Sequence, residues 1–407
     1  MPINMNRTLL AIATGILISA PVLANPIIPV PVQPKAVSYT PGAPNLQGTG
    51  YILIDATSGK IIAEKDANVR MPPASLTKLM SMYIVSGALK NAQLKLDDKV
   101  LISTKAWKTE GSRMFVKAGD EVPVIDLIKG VIVASGNDAT VALAEHIAGT
   151  EEAFTDMMNQ QAQILGMQNT HFMDSTGLPN PDHYSTAYDL ALLTKAYIKN
   201  FPEDYAYYSE KTFSYGGIKQ PNRNRLLTRY QQYADGLKTG HTSEAGYCLV
   251  GSAKKDGMRL ITVVLGEPSD TARTEDSIRL MTYGFRFFET HKLFGSDKPV
   301  VNARVWKGDY TNTQLGIQQD MYVTLPAGQY KKLLPTLTLK NPLQAPLEKG
   351  KTYGSINITL NGQVIASEPL IALEDNPQGG FIRRATDTVQ FNFKKYFTKP
   401  VEKANTG

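Results

Sequence analysis

With 407 residues the chain is long enough for two or three domains, each with its own core. Its 42% hydrophobic and 20% charged residues are the balance of an ordinary globular protein. The net charge of +6 is a mild basic excess with no dense Lys/Arg run before the last thirty residues, so nucleic acid is not an expected partner.

Residues 1–24 read as a secretory signal peptide. Arg7 supplies the positive start, "TLLAIATGILISAPVLA" a short apolar core broken by Gly15 and Pro21, and Val22 and Ala24 the small-residue cleavage pattern. The apolar run is too short and too interrupted for a transmembrane span. A proline-rich leader follows over 25–48. Two apolar runs around "ATSGK" then predict a β-hairpin.

"PPASLTKLMSMYIVSGAL" predicts a helix after two prolines, with Ser75 in its first turn and Lys78 three positions on, on the same face. Further helical segments run to about residue 200. "GYCLVGSAKKDGMRLITVVLGE" predicts a second hairpin, and "SIRLMTYGFRFFETHKLF" a closing helix. Strands at both ends with helices between predict one sheet flanked by helices, over 49–292. The single cysteine, Cys248, reads as a small buried residue of a strand. From 293 to 379, alternating apolar and polar residues between Gly, Pro and Asn turns predict a small all-β, sandwich-like domain. Over 380–407, Phe381, Ile382, Ala385, Val389, Phe393, Tyr396 and Phe397 share one side of a helical wheel. Arg383, Arg384, Lys394 and Lys395 take the other, with Phe391 an exception among the basic positions. This reads as a membrane-surface anchor, against the alternative of a helix packed on the β domain.

The chemistry rests on three short motifs. A serine hydroxyl needs a base, and a lysine is one only when neutral, which requires burial and a second nearby cation. Met82 and Val85 continue the face of Lys78, so burial there is expected. "VASGND" adds Ser135 and Asn137 between helical segments, and "DGLKTGHT" adds Lys238, Thr239 and Gly240 at the start of a strand. Ser135 can relay a proton, Asn137 can donate to a substrate carbonyl, and Lys238 can hold a carboxylate and lower the pKa of Lys78. Gly240 leaves room for an extended substrate. S-x-x-K and S-x-N recur by accident at Ser252/Lys255 and Ser355/Asn357, neither opening an apolar helix. K-T-G is expected by chance only roughly 0.1 times in such a chain. The ordered trio is the signal. His146, His171, His183 and His291 read as structural, with His241 set apart by its place beside K-T-G. No metal or other cofactor is expected.

At these motifs the chain resembles the low-molecular-mass penicillin-binding proteins, specifically the D-alanyl-D-alanine carboxypeptidases. "THFMDSTGL", "GYCLVGSA" and "YGFRFFET" add to the likeness. The resemblance implies an α/β (α+β) peptidase fold like that of the β-lactamases, and an acyl-enzyme on Ser75 with Lys78 as general base. It implies Ser135 and Asn137 as second motif, Lys238 on the substrate, the N–H groups of Ser75 and His241 as oxyanion hole, and Arg273 of "TARTED" near the substrate carboxylate. The expected ligands are peptidoglycan stem peptides and β-lactams. The expected place is the periplasm, on the outer face of the inner membrane. A class A β-lactamase is disfavoured, because its E-x-x-L-N pattern is missing between Ser135 and Lys238. A D,D-endopeptidase shares the chemistry, and a scaffold acting through the β domain is the reading from another class.

Overall fold

The computed structural model describes residues 40–397 apart from residue 341. The expected signal peptide, residues 25–39 of the leader and the chain after 397 lie outside the described residues. At the centre is a five-stranded antiparallel sheet. Its strands are β1 (Gly50–Asp55), β2 (Ile61–Lys65), β3 (Ala234–Thr242), β4 (Gly246–Lys255) and β5 (Met258–Glu267), in the order β2-β1-β5-β4-β3. The early hairpin therefore lies beside the late one, as the expectation of a sheet built from both ends requires. Ile52 sits opposite Val263 in the register that joins them.

Both faces of this sheet are covered, so its inner strands are apolar throughout rather than alternating. Ile52 and Ile54 join the larger core with α1 (Lys78–Lys90), α2 (Val124–Val133), α3 (Asn137–Ala148), α4 (Glu151–Ile164) and α5 (Ala187–Asn200). Tyr51 and Leu53 point the other way, into a second core with Leu280 and Met281 of α6 (Asp270–Phe287). Each such fully buried aliphatic side chain contributes about 1.5–3 kcal/mol.

α1 runs through the middle of the helical layer, and nearly all of its residues are buried. It is entered through a 3-10 turn, Ala74–Thr77, that carries Ser75. The expected continuous helix is thus a tight turn feeding a helix. α2 and α3 are separated at Ser135, whose φ is +59°, and at Gly136, the extended N-cap of α3.

The expected closing helix is corrected at its end. α6 stops at Phe287, and Phe288–Phe294 is a strand, β6, paired antiparallel with β9 (Met321–Pro326). The segment splits its side chains between two cores: Phe288 packs in the catalytic domain's second core, Leu293 and Phe294 in that of the β domain. That long-range pairing overrides a weak local helical pattern. The β domain's own sheet has β7 (Pro299–Arg304), β8 (Asn312–Gly316), β10 (Leu334–Leu339), β11 (Thr352–Leu360) and β12 (Gln363–Ala372), in the order β7-β8-β12-β11-β10.

The tail forms α7 (Phe381–Phe397) and does pack on the β domain, through an unexpected face. Asp387, buried, accepts the Lys307 N–H at 2.6 Å and pairs with Arg304 at 3.3 Å. Phe391, the residue out of place on the wheel, meets Trp306 edge-on at 5.3 Å. Phe381, Ile382 and Val389 of the apolar side are 79%, 79% and 70% exposed. Among the described residues, no helix is long and apolar enough to cross a membrane.

Candidate active site

The fold brings all three motifs to one edge of the sheet, where β3 packs against the turn that carries Ser75. Gly240 explains how close that packing is. A Cβ there would meet Pro73 O at 2.9 Å, Leu76 Cγ at 3.2 Å and Ala74 Cβ at 3.3 Å. The glycine therefore serves the fit of β3 to the nucleophile turn. Lys238 and Thr239 lie in the middle of the nine-residue strand rather than at its start. Two non-glycine residues of the site hold left-handed backbone, Ala74 at φ +48° and Ser135 at +59°. Such local strain persists only where the surroundings enforce it.

Lys78 is fully buried. Its Nζ donates to Asn137 Oδ1 at 2.6 Å and to the Thr176 carbonyl at 2.6 Å, and lies 3.1 Å from Ser75 Oγ. Burial pushes the ammonium down to about 7. The Arg223 guanidinium acts in the same direction, against the opposing pull of Asp174, Asp138 and Glu151. The geometry suits the neutral amine. The two shortest contacts are to oxygens that can only accept, so they take its two hydrogens. The lone pair is then left to the one neighbour able to donate, the Ser75 hydroxyl.

Lys238, also buried, donates to Ser135 Oγ at 2.8 Å and to the Thr239 carbonyl at 3.1 Å. Burial drives its pKa well below the usual lysine range, and repulsion from Lys78, Arg223 and Arg273 adds to this. Lys238 was expected to lower Lys78, but the repulsion between the two lysines falls on Lys238, and the cation that lowers Lys78 is one no motif marks, Arg223. It lies in the loop after Pro221, exposed and without a hydrogen bond or ion pair among the described residues. No spacing rule pointed to it.

Three expectations are refined. Ser135 is held by Lys238, and no hydrogen bond joins it to Lys78 among the described residues. Asn137 gives one amide hydrogen to Glu110 O at 2.5 Å, leaving its second for another acceptor. Arg273 does not present a free guanidinium. Nη1 donates to Gly240 O at 2.9 Å and Cys248 O at 3.2 Å, and Nη2 pairs with Asp270, so it braces β3 and β4 from behind. His241 is exposed and packs against Tyr247, the rings tilted by 35° with centroids 4.0 Å apart.

The wall behind Lys78 was missed as well. Asp174 Oδ1 accepts the N–H groups of Thr176 at 2.7 Å and Gly177 at 2.6 Å, which aims the Thr176 carbonyl at the amine. His183 links the two sides, with Nδ1 3.4 Å from Asp174 and Nε2 2.9 Å from Thr77 Oγ1. Burial alone would raise the Asp174 pKa, but the hydrogen bond and charge of His183 hold the carboxyl well below its usual range. Gly177, at φ +86°, has no room for a Cβ, which would fall 1.8 Å from Ala74 O. His183 is thus structural in a stronger sense than expected, since it fastens the site's wall.

A serine hydroxyl 3.1 Å from the Nζ of a buried lysine, with a second buried lysine alongside, is the arrangement of a serine acyl-transfer hydrolase. Comparison with known proteins gives the family. The D-alanyl-D-alanine carboxypeptidase family model matches residues 37–269, and the model for the C-terminal domain of penicillin-binding protein 5 matches 288–378. The D-alanyl-D-alanine carboxypeptidase DacC of Escherichia coli (strain K12) is 46% identical over 369 residues, 89% of this chain and 92% of the relative. The crystal structure of penicillin-binding protein 5 from Haemophilus influenzae superposes with a TM-score of 0.80 at 42% identity, covering 82% of this chain and 99% of that one. Penicillin-binding protein D2 from Listeria monocytogenes, solved in its ampicillin-bound form, aligns at 33% identity and a TM-score of 0.55 over 60% of this chain and 100% of its own. The chain belongs to the D-alanyl-D-alanine carboxypeptidases, the low-molecular-mass penicillin-binding proteins of the bacterial cell wall.

Proposed function

We propose that this enzyme removes the terminal D-alanine from peptidoglycan pentapeptide stems through an acyl-enzyme on Ser75. The observation that carries this reading is the placement of the buried Lys78 Nζ 3.1 Å from Ser75 Oγ, with burial lowering its pKa to about 7. Lys78 takes the hydroxyl proton as Oγ attacks the carbonyl of the penultimate residue. The C–N bond breaks, the proton passes from Lys78 to the leaving amine, with Ser135 held beside the site by Lys238, and D-alanine departs. Water then cleaves the ester and frees the tetrapeptide and Ser75. The N–H groups of Ser75 and His241 hold the oxyanion, beside the positive end of the helix that begins there.

Asn137 positions the scissile amide with its remaining hydrogen. Lys238, Thr239 and the exposed Arg223 receive the substrate's terminal carboxylate. A carboxylate beside Lys238 opposes the burial and the repulsion that lower its pKa, so substrate favours its charged form. Arg273 acts at one remove, by keeping β3 in place. Penicillins acylate Ser75 in the same way and stop turnover.

Residues 1–24 serve as an export signal, and the chain works in the periplasm as a catalytic domain (49–292), a β domain (293–379) and an anchor (380–407). The exposed Phe381, Ile382 and Val389 support attachment of α7 to the outer face of the inner membrane while Asp387 and Phe391 fasten it to the β domain. The direct test is incubation with a synthetic pentapeptide stem and with a cross-linked dimer. Release of one D-alanine per pentapeptide, with the dimer cut much more slowly, is expected. Rapid cleavage of the dimer with an intact pentapeptide overturns the assignment.

A further inference from the structure

A cavity of about 1260 Å³ opens between the catalytic and β domains, away from the serine. Its floor is set by hydrogen bonds across the two domains. Buried Asp55 accepts from the Ser58 hydroxyl at 2.9 Å and from the Thr290 hydroxyl at 2.8 Å, and Thr324 bonds Ser58 at 2.6 Å and Thr290 at 2.8 Å. The cleft is therefore held open by a polar network rather than left by loose docking.

One wall is basic. Lys60 comes from the β1–β2 turn, Lys195 and Lys199 from α5, and Lys254 and Arg259 from β4 and β5. Arg259 is already paired with Asp235 at 2.7 Å. None of the four lysines forms a salt bridge among the described residues. Lys195 and Lys199 are one helical turn apart, where like charges repel. Burial and Lys199 lower the pKa of half-buried Lys195, against the opposing pull of Asp55. The facing wall offers little to neutralise them: Asp320 is taken by Lys292 at 2.6 Å, which leaves Glu368. That wall is otherwise largely apolar, with Val364 and Ile365 59% and 41% exposed. Unpaired like charge gathered in a recess costs stability unless an anion offsets it.

We propose that this cleft is a second binding site for peptidoglycan, taking a carboxylate-bearing glycopeptide strand distinct from the stem being hydrolysed. The cavity exceeds the usual size of a small-ligand pocket and suits a length of polymer. A strand can enter a recess between two domains; the plane of an anionic bilayer cannot. Only the choice of polymer rests on the carboxypeptidase reading.

The test is sedimentation of the purified protein with isolated peptidoglycan sacculi, before and after benzylpenicillin has closed the serine site. Wild-type binding should persist after acylation and weaken with salt. Lys195→Gln/Lys199→Gln/Lys254→Gln should bind about tenfold more weakly at low salt while benzylpenicillin acylation keeps its rate. Should that variant lose acylation too, Lys60→Gln/Lys254→Gln, at the exposed β1–β2 turn and the exposed end of β4, decides, with about threefold weaker binding expected. Unchanged sedimentation of the neutralised variant overturns the proposal. So does a loss confined to phosphatidylglycerol vesicles, which would make the cleft a lipid site. Failure of wild-type acylation would count against the serine mechanism alone, since the sacculus measurement does not depend on it.

Discussion

In the proposed mechanism, everything at Ser75 depends on one lysine being neutral when needed. Burial brings Lys78 to about 7, so its free base fills as pH rises through neutrality. The acylation rate should therefore climb with an acid limb near pH 7. Asp174 raises the Lys78 pKa, so Asp174→Asn should move that limb to lower pH, by about one unit, beyond any general loss of rate. Stopped-flow acylation across pH 5–9 reads this, and a slower variant with an unmoved limb would reduce Asp174 to loop folding. The sequence marked Ser75, Lys78, Ser135, Asn137 and Lys238 as candidates because the proposed chemistry demands them at set spacings, and the fold brings them together. Arg223, Asp174 and His183 were not legible, since they act through loops whose path only tertiary packing determines.

At the scale of elements, the strands and most helices followed from periodicity, and the misreadings fall where two elements share one stretch of text. "YGFRFFETHKLF" is aromatic enough for a helix or a strand, and the partner that decides, Met321–Pro326, lies far along the chain. The packing role of Gly240 was not legible, because its neighbour is the nucleophile turn, which local sequence cannot place beside it. The end of β5 holds a further dependence on pH. Burial, with the Asp276 charge adding to it, pushes Glu267 up to about 7. Its folded-state pKa exceeds the unfolded value, so the folded form binds the extra proton and stability falls as pH rises from about 4.5 to 7. Glu267→Gln removes the charge and should leave the protein more stable than wild type at pH 8, on the order of 2 kcal/mol, with little difference at pH 4.5. Thermal unfolding at the two pH values decides, and an equal shift at both would reject the linkage.

For the whole molecule, composition and texture were enough to separate a catalytic body from a β domain and a tail. They could not say how the tail docks, because an amphipathic wheel does not reveal which face meets the protein. Asp387 and Phe391 answer that by turning the apolar side outward. Ending the chain at Gly380 should release active protein from membranes with its acylation rate unchanged; a truncated form that still pellets with them would contradict the anchor. The measurement closest to the central claim is the mass of the intact protein after exposure to benzylpenicillin. Wild type should gain the mass of one penicillin and Ser75→Ala none. Addition to Ser75→Ala, or no addition to wild type, would contradict the serine–lysine mechanism.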